Sequence, residues 1–236
     1  MAKHLAHKPL SISASSSASS NAPREKLLSA ARKVFAKHGF EGATVKLIAD
    51  EAAMNPALIS YHFGGKEALY CACIEEIGQI RLTRSEQILR PPHSLEDFTA
   101  RIRIYIEDFF RLHEDHPDVT TIIHRECDGD MKITREVFQK TFHRSFLLLR
   151  DFFEAAKKQR IVRGDVDSLM TAGLFFGGFI HMLRMKKMIE KSFGLSLRTP
   201  EALAELIDGA VNNLVNGLVR APSIKTASKS KKRKEH

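Results

Sequence analysis

Residues 44–66 read TVKLIADEAAMNPALISYHFGGK, and this stretch decides the fold. Val45, Ile48, Ala49 and Ala52 recur at helical spacing and supply one apolar face. Ile59 and Phe63 supply another three residues beyond Pro56. The spacing predicts a short helix from about Thr44 to Ala52 and a second from about Pro56 to His62. Two such helices, set steeply around a tiny core, make a helix-turn-helix. The Thr44 hydroxyl suits an N-cap, Ala49 is small enough for close approach, and Met54 fills the corner. The turn position where glycine commonly supplies a left-handed backbone holds Ala53. The outer side of the second helix presents Asn55, Pro56, Ala57, Ser60 and Tyr61.

Working outward, the helical pattern continues on both sides. Pro23 suits a first helical position. From it, Leu27, Leu28, Ala31, Val34 and Phe35 form one apolar face up to about His38, and Gly39 is a good helix-ending residue. Gly64-Gly65 breaks the chain, Lys66 opens a helix to about Leu89, and Pro91-Pro92 closes the unit. Further helical patterns cover Leu95 to His113, a segment starting at Pro117, Met131 to Gln159, the stretch after Gly164-Asp165 to about Ser192, and Pro200 to Val219. No stretch shows sustained strand alternation, so the fold class is all-α.

The formal net charge of +9 misleads until it is divided. Residues 221–236 carry six basic groups and one acidic, giving +5, and residues 1–22 add +2. The two segments between, 23–89 and 90–220, carry +1 each. High basicity therefore belongs to the ends, where Lys229-Ser-Lys-Lys-Arg-Lys234 reads as a basic arm that adds sequence-independent phosphate affinity. The Ser/Ala tract Ser11 to Ser20 lacks an apolar core and reads as a disordered tail, not a secretory signal. No apolar run reaches the roughly 18 residues of a membrane span, so no membrane partner is expected. Cys71, Cys73 and Cys127 form no disulfide framework, which favours a reducing, cytoplasmic setting. His113, His116, His124, Cys127 and Asp128 are ligand types for a metal, but Pro117 interrupts them and no metal-site spacing fits. Neither a metal nor a cofactor is expected. No nucleophile elbow, phosphate loop, dinucleotide loop or zincin motif occurs, so no enzyme is expected. A helical scaffold, or an enzyme without a recognisable motif, is the competing reading.

Thr44, Ile48-Ala49, Ala52, Ile59, Tyr61-His62-Phe63, Lys66 and Leu69 together resemble the tetracycline repressor family of bacterial transcriptional regulators. The preceding Phe35-Ala-Lys-His-Gly39-Phe40, its spacing to Thr44, and Ser60-Tyr-His-Phe-Gly-Gly-Lys-Glu67 carry the same resemblance, which covers about residues 24–72. It implies a DNA-binding regulator, acting as a repressor on a double-stranded operator and released by an unidentified small-molecule effector. It implies that Thr44, Tyr61, His62 and Lys66 contact phosphates, which fix register. It implies that Lys46, Asn55, Pro56, Ala57 and Ser60 face base edges. The domains expected are a tail at 1–22, a three-helix helix-turn-helix domain at 23–70, a helical effector-binding and dimerisation domain at 71–219, and a basic tail at 220–236.

Such reading heads work in pairs on two half-sites. Leu169, Gly173, Phe176, Gly177, Ile180 and Arg184 fall on one side of a helix, with glycines four apart that allow close approach. Leu203, Leu206, Ile207, Ala210 and Leu214 form a stripe on the last helix. The resemblance implies that these two helices pair with their copies in a homodimer. It also implies a ligand pocket in the phenylalanine-rich second half, with Phe109, His113, Arg125, Phe142, Phe146, Phe175, Phe179 and His181 as candidate lining.

Overall fold

The computed structural model describes residues 16–194 and 199–219. The basic arm at 220–236 and the first part of the expected N-terminal tail, 1–15, lie outside the described residues. Every described element is a helix. In order they are α1 (Ser16–Gly42), α2 (Val45–Ala52), α3 (Ala57–Phe63), α4 (Lys66–Ile88), α5 (Leu95–Asp115) and α6 (Pro117–Asp128). There follow α7 (Arg135–Phe138), a π-turn (Gln139–His143), α8 (Arg144–Lys158), α9 (Ser168–Arg184), α10 (Lys186–Phe193) and α11 (Pro200–Val219). Among the described residues no helix is long and apolar enough to cross a membrane.

Two expectations about boundaries change. Helix α1 begins at Ser16, so residues 16–22 are helical and Pro23 lies inside the helix. A proline there costs one backbone donor, and the helix carries on past that missing bond. The apolar run after Gly164 is two helices, not one, because the backbone changes direction at Met185 between α9 and α10.

The described residues divide into two compact units, one comprising those up to Arg81 with His113–Phe142, the other Leu82–Leu112 with those from His143 onward. The unit that holds the helix-turn-helix is therefore larger than residues 23–70. Its core joins Leu27, Leu28, Ala31, Phe35, Ile48, Ala49, Ile59, Leu69 and Tyr70 to Ile122, Val137 and Phe138 from later in the chain. A three-helix unit of under 50 residues buries little apolar surface by itself, and α6 and α7 supply the rest. In this unit α4 and the π-turn approach closely at Gly78. A Cβ built there would stand 2.5 Å from Thr141 Oγ1. The same Thr141 hydroxyl donates to the Val137 carbonyl at 2.7 Å.

The second unit is built on aromatics. Phe98 stacks on Phe152 at 5.2 Å, and Phe175 meets Phe179 edge-on at 4.7 Å, with Tyr105, Phe109, Phe110 and Phe153 also buried in the cluster. Helix α11 closes this core with Ile207, Val211 and Leu218.

Candidate nucleic-acid interface

Thr44 stands just before α2 in extended backbone, and its Oγ1 accepts the Leu47 N–H at 3.1 Å. That is the N-cap bond expected from sequence, and it leaves the hydroxyl proton free to donate outward. Helix α2 ends at Ala53 with φ 48° and ψ 52°, the left-handed conformation the motif demands, in a residue that has a Cβ. The Ala53 N–H closes the turn on the Asp50 carbonyl at 3.0 Å.

Helix α3 starts on a side-chain cap. The Ala57 N–H donates to Asn55 Oδ1 at 2.9 Å, and Pro56 occupies the first turn, where its missing donor costs nothing. Ile59, fully buried, pins the inner side of α3 to Ile48 and Ala49. Everything that follows on the outer side is exposed: Lys46, Asn55, Pro56, Ala57, Ser60 and, at 81% exposure, Tyr61. A tyrosine that bare, on a helix anchored by the fully buried Ile59, is available for a partner. His62 is half-buried, its ring edge-on to Tyr61 at 4.9 Å.

Two expected roles are altered. Asn55 spends an acceptor on the cap, so only its amide N–H groups and the remaining lone pair face outward. Lys66 is not a free cation: its ammonium donates to the carbonyls of Phe40 at 2.8 Å and Ala43 at 3.0 Å, and sits 4.2 Å from the centre of the Phe40 ring. Two of its three donors are committed inside the chain. Sequence reading also missed two residues here. Leu47 is 41% exposed beside Lys46, out of phase with the buried face of α2. The Arg24 guanidinium lies 5.0 Å over the Phe63 ring, bringing a cation from α1 to the end of α3. Neither follows from local periodicity, since one is an apolar residue facing out and the other a contact across 39 positions.

The eight residues named for an effector pocket divide between the two units. Phe109, Phe146, Phe175 and Phe179 join the aromatic cluster of the second unit. His113, Arg125 and Phe142 lie in the first unit. Arg125 donates to the carbonyls of Phe35 at 2.9 Å and Ala36 at 3.1 Å, tying α6 to the end of α1. Phe142 lies 5.0 Å from Phe138. His181 is exposed, because α9 buries Ala172, Phe175 and Phe179 and His181 falls on another side. Among the described residues no group of three or more His, Cys, Asp or Glu is placed to hold a metal ion.

The candidate dimer residues divide as well. On α9, Leu169, Gly173, Gly177 and Arg184 are exposed, with Phe176 and Ile180 half-buried. Leu169 at 56% and the neighbouring Met170 and Leu174 at 60% and 70% make a bare apolar strip. On α11, Leu203, Leu206, Ala210 and Leu214 are half-buried. Ile207 is a correction: it is 2% exposed and faces its own unit's core.

A capped helix, a left-handed turn and a second capped helix, with a polar outer side and a bare tyrosine, make a helix-turn-helix. The family model described as bacterial regulatory proteins, tetR family, matches residues 27–73. Over these residues the chain is similar to that family. It is 33% identical over 108 residues to the HTH-type transcriptional repressor NicS of Pseudomonas putida, covering 44% of this chain and 47% of that protein. It is 24% identical over 137 residues to the probable HTH-type transcriptional regulator YttP of Bacillus subtilis, covering 58% of this chain and 66% of that protein. The chain thus spans about half to two thirds of the length of these curated relatives. In fold it is similar to the transcriptional regulator FadR from Bacillus subtilis, solved in complex with stearoyl-CoA, with a TM-score of 0.66 and 16% identity over 82% of this chain and 98% of that one.

Proposed function

We propose that this chain is a DNA-binding transcription repressor that acts as a homodimer on a double-stranded operator and is released by a small molecule. The observation that carries the reading is the outer side of α2 and α3, where Thr44, Lys46, Asn55, Pro56, Ala57, Ser60 and Tyr61 are all exposed over a fully buried Ile59. Thr44 and Tyr61 hold phosphates through hydroxyl donors, and Ser60, Ala57 and Asn55 face base edges in the major groove. His62 and Lys66 support this side: Lys66 fixes the α1–α2 connection and offers its one remaining donor. The bare strip Leu169, Met170 and Leu174 on α9 pairs with its copy, as expected of an exposed apolar patch in a chain that needs two reading heads.

The effector occupies the second unit, among the aromatics around Phe109, Phe146, Phe175 and Phe179. FadR holds stearoyl-CoA in a related fold, and an apolar effector suits the aromatic interior here. Effector and operator then oppose each other by linkage. The protein works in the cytoplasm, without catalysis. Footprinting upstream of its own gene tests the reading. A protected two-half-site sequence, lost progressively as salt rises, is the expected result. Absence of salt-sensitive retention on any DNA overturns it.

A further inference from the structure

Within the first unit, and away from the outer side of α2 and α3, a cleft of about 560 Å³ opens where α1 breaks at Gly39. Its walls are residues 37–41 of α1, Tyr70 of α4, and residues 125–133 from α6 and the loop that follows. None of the residues assigned above to DNA, to the dimer or to the aromatic cluster lines it. The volume falls in the range of small-molecule sites.

The lining is charged in both senses. Lys37 and Lys132 present ammonium groups with no partner among the described residues. Arg125 uses two of its N–H groups on Phe35 and Ala36 and has others to spare. Against these stand Glu41 and Asp130. Glu126 is already satisfied: one oxygen accepts the Tyr70 hydroxyl at 2.8 Å and the other the Thr134 hydroxyl at 2.5 Å. Phe40, Met131 and Ile133 supply a short apolar wall, with Met131 held at a φ of 51°. A simple anion in this cleft would meet Glu41 and Asp130. A simple cation would meet Lys37, Lys132 and Arg125. A molecule that carries both charges uses both sets.

We propose that this cleft binds a small zwitterion, an amino-carboxylate of amino-acid to dipeptide size with a short aliphatic body. Its carboxylate lies on Arg125 with Lys37 or Lys132, since a guanidinium fork suits a carboxylate. Its ammonium lies on Glu41 or Asp130. The site is separate from the aromatic interior assigned to the effector and does not depend on operator binding.

The test titrates the full chain with glycyl-leucine, with N-acetyl-glycyl-leucine (carboxylate only) and with glycyl-leucine amide (ammonium only), reading thermal unfolding and titration calorimetry. The zwitterion is expected to raise the melting temperature with concentration, by mass action on the folded state. Each singly charged analogue is expected to bind at least about tenfold more weakly, a difference of one lost charge-assisted contact. Arg125→Gln is expected to abolish binding. Because that variant also releases α1, the double variant Lys37→Gln with Lys132→Gln, both exposed side chains, is expected to lose binding with its unliganded melting temperature unchanged. The proposal is overturned if no probe shifts unfolding, if either capped analogue matches the zwitterion, or if the double lysine variant binds as the parent does.

Discussion

The Lys66 ammonium donates to the Phe40 carbonyl at 2.8 Å while lying 4.2 Å from the centre of the same residue's ring. One cation therefore serves as a cap for α1 and a partner for its last aromatic. With the second bond to the Ala43 carbonyl, it fixes the three residues that lead into Thr44. Lys66→Met is expected to lower stability by about 1–3 kcal/mol, the loss of charge-assisted bonds to half-buried carbonyls. It is also expected to weaken binding to every DNA sequence alike, through a displaced Thr44. Denaturant unfolding and gel retention on specific and random DNA measure both. A variant with changed sequence preference would mean that Lys66 touches bases.

Ala53 sits at φ 48° and ψ 52°. An L-residue there costs about 1–2 kcal/mol, and glycine removes that cost while adding a smaller one in chain entropy. Ala53→Gly is expected to stabilise the chain by up to about 1 kcal/mol. Operator affinity should be unchanged, since the Cβ of Ala53 lies outside the proposed reading side. Unfolding by urea decides it, and a destabilised Ala53→Gly would refute the strain argument.

Much of this head was legible beforehand. Thr44 as cap, Ala53 in the left-handed turn and Gly39 as the break in α1 were all visible because each is a local backbone requirement with few residue types that meet it. The roles of Lys66 and Arg125 were not. Both cations bond to carbonyls on α1, 26 and about 90 positions away, and a carbonyl leaves no mark on the side-chain pattern. For the same reason α6 and α7 were assigned to the second half, although Ile122, Val137 and Phe138 complete the core beneath the helix-turn-helix. The phenylalanines of the second half gave the reverse problem. Periodicity showed that they were apolar but not which side of α9 was inside, so His181 was grouped with Phe175 and Phe179.

Gly78 allows α4 to meet the π-turn. Its missing Cβ would stand 2.5 Å from Thr141 Oγ1 and 2.8 Å from Thr141 Cβ. Thr141 cannot rotate away cheaply, because its hydroxyl donates to the Val137 carbonyl. Gly78→Ala is expected to cost about 1–3 kcal/mol from overpacking, despite the better helix propensity of alanine. Adding Thr141→Ala, which deletes the Oγ1 nearest the new Cβ, should recover part of the loss. Two additive effects would show that the pair is not in contact.

Leu174 and Ile207 separate association from folding. Leu174 is 70% exposed on α9, whereas Ile207 is 2% exposed on α11. Leu174→Glu is expected to shift the protein from dimer to monomer in sedimentation, with helical content intact. Ile207→Ala is expected to cost about 2–5 kcal/mol in stability through a core cavity, with association changed only as unfolding dictates. If Leu174→Glu left the mass at that of a dimer, the α9 strip would not be the interface.

Tyr70 is buried and donates to Glu126 at 2.8 Å. Burial, then the Glu126 carboxylate beside it, hold its phenol well above the usual range near 10. The neutral phenol is thus favoured in the folded chain, while in the unfolded chain it ionises near pH 10. The folded pKa is raised, so the stability this group contributes is complete below pH 10 and is lost as the pH rises from there towards the folded value. Chemical unfolding from pH 8 upward should show a decline that starts near pH 10. Tyr70→Phe should remove this group's share of the decline. At neutral pH the same variant should cost about 1 kcal/mol, because the Glu126 oxygen loses a donor. Parent and Tyr70→Phe profiles that stay parallel above pH 10 would show that the phenol does not couple folding to pH.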